Sequence, residues 1–75
     1  MSGLTDDELP GYLRIHCDTE VGLVHVNHLA RLHELAGRND DARRLRESGN
    51  EWWRPSPEWI AEVATEAEAR MSANQ

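Results

Sequence analysis

The sequence predicts an all-α fold, a small compact bundle of about three principal helices preceded by a short N-terminal turn or helix. Apolar residues recur at helical spacing over about 19–36 and again after residue 57. Glycines stand where two of these helices should end, and the sequence Ser-Pro-Glu at 56–58 is typical of a helix start. The chain has 75 residues, which is enough for one domain with one core. We therefore expect a single domain over 1–75 with frayed ends at 1–4 and 72–75.

The N-terminal segment is compatible with two structures. Thr5–Glu8 has the form of a capping box, in which the threonine hydroxyl and the glutamate carboxylate each satisfy a backbone N–H group. Pro10 should break a helix that runs on from this box, so we expect a single turn and then a restart. Residues 10–17 alternate loosely in polarity and could form a short helix opened by Pro10 or a strand, and residues 23–26 share that ambiguity. The alternative is therefore an α+β fold with a hairpin at 12–26.

Three helices are predicted after this segment. The first covers about 19–36 and ends at the glycine that follows it. The second has Asn39 as its N-cap, acidic residues in its first turn and arginines towards its end, and it stops before Gly49. The third begins at Ser56 and runs to about Met71. Its buried face should consist of Ile60, Val63, Ala64, Ala67 and Met71.

Charge and composition limit the possible functions. The net charge is −6, with −4 on residues 1–30, +2 on 31–46 and −4 on 47–75. A negative surface repels phosphate, so binding of nucleic acid by the whole surface is disfavoured. A single cysteine forms no internal disulfide, and no apolar run approaches the roughly 20 residues that span a bilayer, so we expect a cytoplasmic protein without membrane contact. All eight basic residues are arginine, which is typical of a GC-rich source.

The sequence contains no catalytic motif and no complete metal site. No nucleophile, general base and orienting residue occur at a spacing that would bring them together in one catalytic site, so we expect no enzymatic activity. Structural zinc sites usually have paired ligands on two separate elements, and one cysteine beside one histidine does not supply the second pair. We therefore expect no cofactor, and histidines that lie in the core or at its solvent edge. The residues with metal-ligand potential are His16, Cys17, His25, His28 and His33.

All three tryptophans lie in the stretch EWWRPSPEW, residues 51–59. Trp59 falls at the third position of the last helix and is predicted to be in the core. Neighbouring side chains diverge on an extended backbone, so one of Trp52 and Trp53 should cap the core while the other is exposed. We expect Trp53 to be the exposed residue, with Arg54 able to stack on it, because Trp53 lies nearest the predicted loop tip.

These features predict a small acidic adaptor or inhibitor that binds another protein, or a second copy of itself, without catalysis. Tryptophan and arginine are the commonest anchors of protein interfaces. The glutamates that recur along one face of the last helix are interpreted either as a solvated face or as a docking strip for a basic partner. The predicted partner-binding residues are Trp52, Trp53, Arg54, Glu58, Glu62 and Glu66.

The alternative function is a small DNA-contacting regulator that uses the arginine cluster 31–46. A helix-turn-helix over 29–46 would present this cluster, but Arg43 occupies a position where such a motif needs an apolar residue. Ion pairs between these arginines and the acidic ends of the same chain are the competing explanation. The candidate nucleic-acid contacts are Arg38, Arg43, Arg44 and Arg46.

Overall fold

The computed structural model describes residues 4–17 and 22–73. Within them the chain forms four helices and one two-stranded antiparallel sheet, so the prediction of a small, mostly helical fold is confirmed. None of these helices is long and apolar enough to cross a bilayer. In chain order the elements are α1 (Leu9–Cys17), β1 (Val24–His25), α2 (Val26–Leu35), α3 (Asn39–Glu47), β2 (Trp52–Trp53) and α4 (Pro57–Ala73).

The predicted capping turn continues directly into α1. The Glu8 carboxylate accepts hydrogen bonds from the Thr5 N–H at 3.2 Å and from the Thr5 hydroxyl at 2.9 Å. The Leu9 N–H then donates to the Thr5 carbonyl at 3.1 Å. Pro10 is the second residue of α1, and a proline is tolerated in the first turn of a helix. The predicted break at Pro10 is therefore wrong.

The hairpin at 12–26 is also wrong, because residues 12–17 are helical. The short strand β1 pairs instead with β2, which lies much further along the chain. This pairing delays the start of α2 to Val26, whose N–H donates to the Glu51 carbonyl at 2.7 Å. The predicted helix over 19–36 is therefore correct only in its second half, and residues 18–21 lie outside the described residues.

Gly37 ends α2 as predicted. Its φ is +82°, and its N–H donates to the Glu34 carbonyl at 3.0 Å. The Arg38 N–H donates to the His33 carbonyl at 2.8 Å, which completes a Schellman motif. Asn39 is the first residue of α3, and the N-cap position falls on Arg38, which makes no side-chain capping bond. The predicted Asn39 cap is wrong because the turn that closes α2 leads directly into α3.

The core lies where the four helices pack together, with α2 in contact with α1, α3 and α4. Ser56 begins α4, since its hydroxyl accepts the Trp59 N–H at 3.1 Å. The predicted stripe of α4 is buried, and Met71 packs against it half-buried. Alanines contribute much of this stripe, so the other helices supply most of the larger side chains. The largest buried side chains are Leu13, Leu29, Leu32, His33, Val24, Ile60 and Val63.

Candidate binding groove

The pairing of β1 with β2 decides which tryptophan is exposed. Val24 lies opposite Trp53, and His25 lies opposite Trp52. Directly opposite residues share one face of an antiparallel ribbon. Val24 is only 1% exposed, so Trp53 faces the core, where it is half-buried and donates from Nε1 to the Asn50 carbonyl at 3.2 Å. Trp52 is on the outer face and is 58% exposed. The expectation that Trp53 is the exposed residue is therefore wrong.

Trp59 packs against the core as predicted, and it covers a buried histidine. The rings of Trp59 and His33 meet edge to face, with centroids 5.3 Å apart. His33 is 1% exposed, and its Nδ1 lies 2.8 Å from the Leu29 carbonyl. A carbonyl only accepts hydrogen bonds, so this nitrogen carries the proton. Burial lowers the pKa of His33 and outweighs this hydrogen bond, so the ring is neutral in the core.

The outer face of the ribbon forms one wall of a groove of about 430 Å³. Helix α1, Leu23 and the first turn of α2 form the rest of its described lining. The lining is mostly apolar and aromatic, and among the described residues it contains no carboxylate and no arginine. We call this feature the Trp52 groove. Its lining residues are Tyr12, His16, Leu23, Val24, His25, His28 and Trp52.

Contacts between rings hold the walls of the Trp52 groove. Tyr12 stacks on His16, with centroids 5.3 Å apart and planes inclined by 13°, and it lies tilted against His28 at 5.6 Å. His25 meets Trp52 edge to face at 5.0 Å. Each such pair is worth about 0.5–1.5 kcal/mol beyond the area that it buries. Tyr12 nevertheless remains 38% exposed, so both large rings keep surface for a ligand.

His25 has a second role that fixes the position of its ring. Its Nδ1 accepts the Asn27 N–H at 3.1 Å and so caps the N-terminus of α2. As an acceptor, Nδ1 carries no proton, which leaves the proton of the neutral ring on Nε2. The same imidazole therefore caps the start of α2 and forms part of one wall of the groove. A change at His25 should affect both the helix and the groove.

Three of the five residues with metal-ligand potential line the groove, namely His16, His25 and His28. Among residues 4–17 and 22–73, no three His, Cys, Asp or Glu side chains are arranged to hold a metal ion. The geometry makes these histidines aromatic surfaces of the groove. Cys17 is buried, and its Sγ lies 3.5 Å from the Arg14 carbonyl.

The glutamates on α4 are not a simple solvated row. Arg38 binds Glu66 through two hydrogen bonds of 2.8 Å and approaches Glu62 at 3.6 Å. The guanidinium lowers the pKa of Glu66. Glu58 is exposed and has no ion pair among the described residues. Glu66 keeps a partly exposed side chain, and its ion pair links α4 to the start of α3.

The remaining arginines of the cluster 31–46 also contact carboxylates. Arg31 binds Asp6 through bonds of 3.1 and 2.7 Å and reaches Glu34 at 3.3 Å. Each of the four candidate nucleic-acid contacts has a carboxylate within ion-pair distance. Besides the contacts of Arg38, the pairs are Arg43 with Asp40, Arg44 with Asp41 and Arg46 with Glu34.

The sequence contained only part of the signal for this groove. The predicted partner-binding residue Trp52 lines it, whereas Trp53 faces the core and the α4 glutamates belong to a different surface. Sequence reasoning missed Tyr12 and the histidines as groove residues. The spacing of Tyr12 and His16, four apart on a helix, was the one local signal for their contact.

The chain matches no protein-family model, no curated protein and no solved structure. The function of the groove is therefore inferred from its own chemistry.

Proposed function

We propose that this chain is a small protein-binding module without enzymatic activity, and that the Trp52 groove holds the partner. The observation that carries the proposal is the exposure of Trp52, 58%, on the rim of an apolar groove. A tryptophan in this position adds little to folding and lowers solubility. Exposed apolar surface around a cleft is typical of a binding site.

The groove is also held in place before any partner arrives. The backbone of Trp52 is fixed by the β1–β2 pairing, and its ring is held by His25. Little conformational entropy is then lost on binding, which is the condition under which a single aromatic residue becomes a strong anchor.

The size of the groove limits what enters it. A volume of about 430 Å³ accommodates one or two side chains, not a folded surface. Ile15, one helical turn from Tyr12, is 74% exposed and extends the apolar surface beyond the groove. The partner therefore presents a short segment, with one side chain in the groove and its neighbours along α1.

The other surfaces support binding less well. Arg38 already engages Glu62 and Glu66, which weakens the case for α4 as a docking strip. Contact with DNA through the arginine cluster would require breaking several ion pairs with the chain's own carboxylates. Arg54 is exposed and close to Trp52 in sequence, so it stays a candidate contact at the groove.

Selection of peptides from an unbiased display library on the immobilised full chain tests this proposal. We expect selected peptides to lose at least about tenfold in affinity for Trp52→Ala, the loss typical of an interface anchor. The matched control is Arg43→Ala, an exposed position on α3, which contributes nothing to the groove. Selected peptides that bind Trp52→Ala as tightly as the original chain, or a selection without enrichment, would contradict the proposal.

A further inference from the structure

We propose that the partner segment is basic, and that it places an arginine or lysine side chain in the Trp52 groove. This inference rests on the proposed protein-binding function of the groove and adds the chemistry of its occupant. Two independent features of the described residues lead to it, the aromatic lining of the groove and the overall balance of charge.

The lining suits a side chain that is apolar along its stem and cationic at its tip. The faces of tryptophan and tyrosine rings attract cations, and the planar guanidinium group also stacks on indole. Trp52 and Tyr12 are the two most exposed large rings of the groove, at 58% and 38%. Leu23 lines the same groove and offers apolar surface to the stem.

The overall charge of the chain is complementary to a cation. Six of the eight arginines are within ion-pair distance of a carboxylate on the described part of the chain. Five described carboxylates have no ion-pair partner there, against two arginines, Arg54 and Arg70. The uncompensated charge is therefore negative, and it attracts a basic segment. The five carboxylates belong to Asp7, Glu8, Glu47, Glu51 and Glu58.

The other possible occupants fit this surface less well. A second copy of the chain carries the same net charge of −6 and is repelled. An acidic segment is repelled for the same reason, and a neutral apolar segment gains nothing from the charge. Glu51 and Arg54 flank the Trp52–Trp53 strand with opposite charges. Replacing each of them therefore tests whether the occupant of the groove is positively charged.

The test is a titration with a short, blocked alanine peptide that carries one central arginine, followed by two-dimensional NMR at about pH 7.5, where imidazoles are mostly neutral. Matched peptides carry citrulline, which has nearly the same shape without the charge, or glutamate. We expect the arginine peptide to shift the Trp52 indole N–H signal in a saturable way. The citrulline peptide should bind roughly threefold to fivefold more weakly, which corresponds to one exposed cation–π contact.

Variants separate the aromatic contribution from the electrostatic one. Trp52→Leu keeps an apolar side chain but removes the ring, and it should abolish the peptide-induced shifts of the remaining groove residues. Glu51→Gln should weaken binding and Arg54→Gln should strengthen it, each by about twofold for a screened surface charge. Arg43→Ala should bind as the original chain does. If Trp52→Leu fails to fold, the comparison of the arginine and citrulline peptides on the original chain still decides whether binding depends on the positive charge.

Each other outcome overturns the proposal. Equal binding of the citrulline peptide would make recognition independent of charge, and tighter binding of the glutamate peptide would reverse the sign of the charge preference. A Trp52 signal that shifts with the concentration of the protein alone would make a second copy the occupant. No shift with any peptide would exclude a basic occupant. Display-selected peptides without basic residues that still require Trp52 would overturn the cationic occupant and leave the protein-binding function intact.

Discussion

Trp52 and Trp53 are adjacent in sequence but lie in opposite environments. Because side chains alternate along a strand, a shift of the pairing register by one residue would bury Trp52 and expose Trp53. The observed register places Trp53 beside the buried Val24 and Trp52 beside His25. Position within a loop sequence therefore says little about exposure, since the partner strand decides it.

His33 makes stability sensitive to acid. Burial lowers its pKa in the folded state below the ordinary value that it regains on unfolding. The unfolded state therefore binds more protons, and stability is fully present above about pH 6.5 and is lost as pH falls below that value. One such histidine contributes a slope of at most about 1.4 kcal/mol per pH unit to the free energy of unfolding.

Urea unfolding of the original chain and of His33→Leu, between about pH 5 and pH 7.5, measures this contribution. Leucine removes the titrating group, and the Leu29 carbonyl keeps its helical backbone partner. We expect His33→Leu to lose less stability on acidification than the original chain does. Identical pH dependence of the two proteins would show that His33 does not control acid stability.

At the scale of elements, locally encoded features were predictable and long-range ones were not. The start of α4 at Ser56 and the end of α2 at Gly37 follow from a few neighbouring residues. The pairing of β1 with β2 joins segments separated by α2 and α3, so no local pattern reports it. This pairing places the start of α2 at Val26 and makes Trp52, not Trp53, the exposed tryptophan of the pair.

Three glycines allow a matched test of backbone conformation. Gly37 and Gly49 have φ values of +82° and +85°, in the left-handed region, whereas Gly11 lies within α1, where an added Cβ would meet no atom within 4 Å. Alanine costs about 1–2 kcal/mol in the left-handed region and gains about 0.5–1 kcal/mol over glycine within a helix.

Gly37→Ala and Gly49→Ala should therefore lower the Tm, and Gly11→Ala should raise it. The Cβ at residue 37 would also meet the Arg70 guanidinium at 2.9 Å, but that exposed side chain can move away, so Gly37→Ala and Gly49→Ala should cost similar amounts. Thermal melting followed by circular dichroism measures all three. A stabilised Gly37→Ala variant would contradict the Schellman motif at the end of α2.

Because of the Arg38 contacts, neutralising the glutamates of α4 should lower the stability of the folded chain, although it would stabilise an isolated helix. On an isolated helix, replacing Glu62 and Glu66 by glutamine relieves repulsion between like charges. In the folded chain it also removes two charge-assisted hydrogen bonds between Arg38 and Glu66. Glu66→Gln should therefore lower the Tm, and Glu62→Gln, with its longer 3.6 Å contact, should change it less. A larger loss for Glu62→Gln would show that the two glutamates have exchanged roles.

At the scale of the whole molecule, two arginines of the basic middle of the chain pair with its acidic ends, and the other three pair within 31–46. Arg31 contacts Asp6 near the N-terminus, and Arg38 contacts Glu66 on α4. Each arginine of the cluster 31–46 is thus within ion-pair distance of a carboxylate of the chain itself. We expect no retardation of duplex DNA, even at about 50 mM salt, where electrostatic binding is strong.

Gel retardation measures this directly. Retardation that disappears as salt rises, and that is lost in an Arg43→Ala and Arg44→Ala double variant, would make the arginine cluster a nucleic-acid contact. The two arginines suit this control because both are exposed and pair only within α3, so their removal leaves the links between elements intact.

The candidate groove was less predictable than the fold. The tryptophan stretch correctly drew attention to residue 52, because three tryptophans in a chain without phenylalanine are conspicuous. The opposite wall, built on Tyr12 and His16, comes from α1 and meets the ribbon only in the folded chain. A groove assembled from distant segments has no sequence signature of its own.

The most direct test of the binding role compares Trp52→Ala with Trp53→Ala in stability and in affinity for a display-selected peptide. Trp52→Ala should lose only about 0.5–1.5 kcal/mol of stability, the value of its ring pair with His25, and lose at least about tenfold in affinity. Trp53→Ala should lose about 3 kcal/mol of stability, because its ring packs on the core. A Trp52→Ala variant that unfolds like Trp53→Ala, or that binds the peptide unchanged, would contradict the assignment of Trp52 to a binding groove.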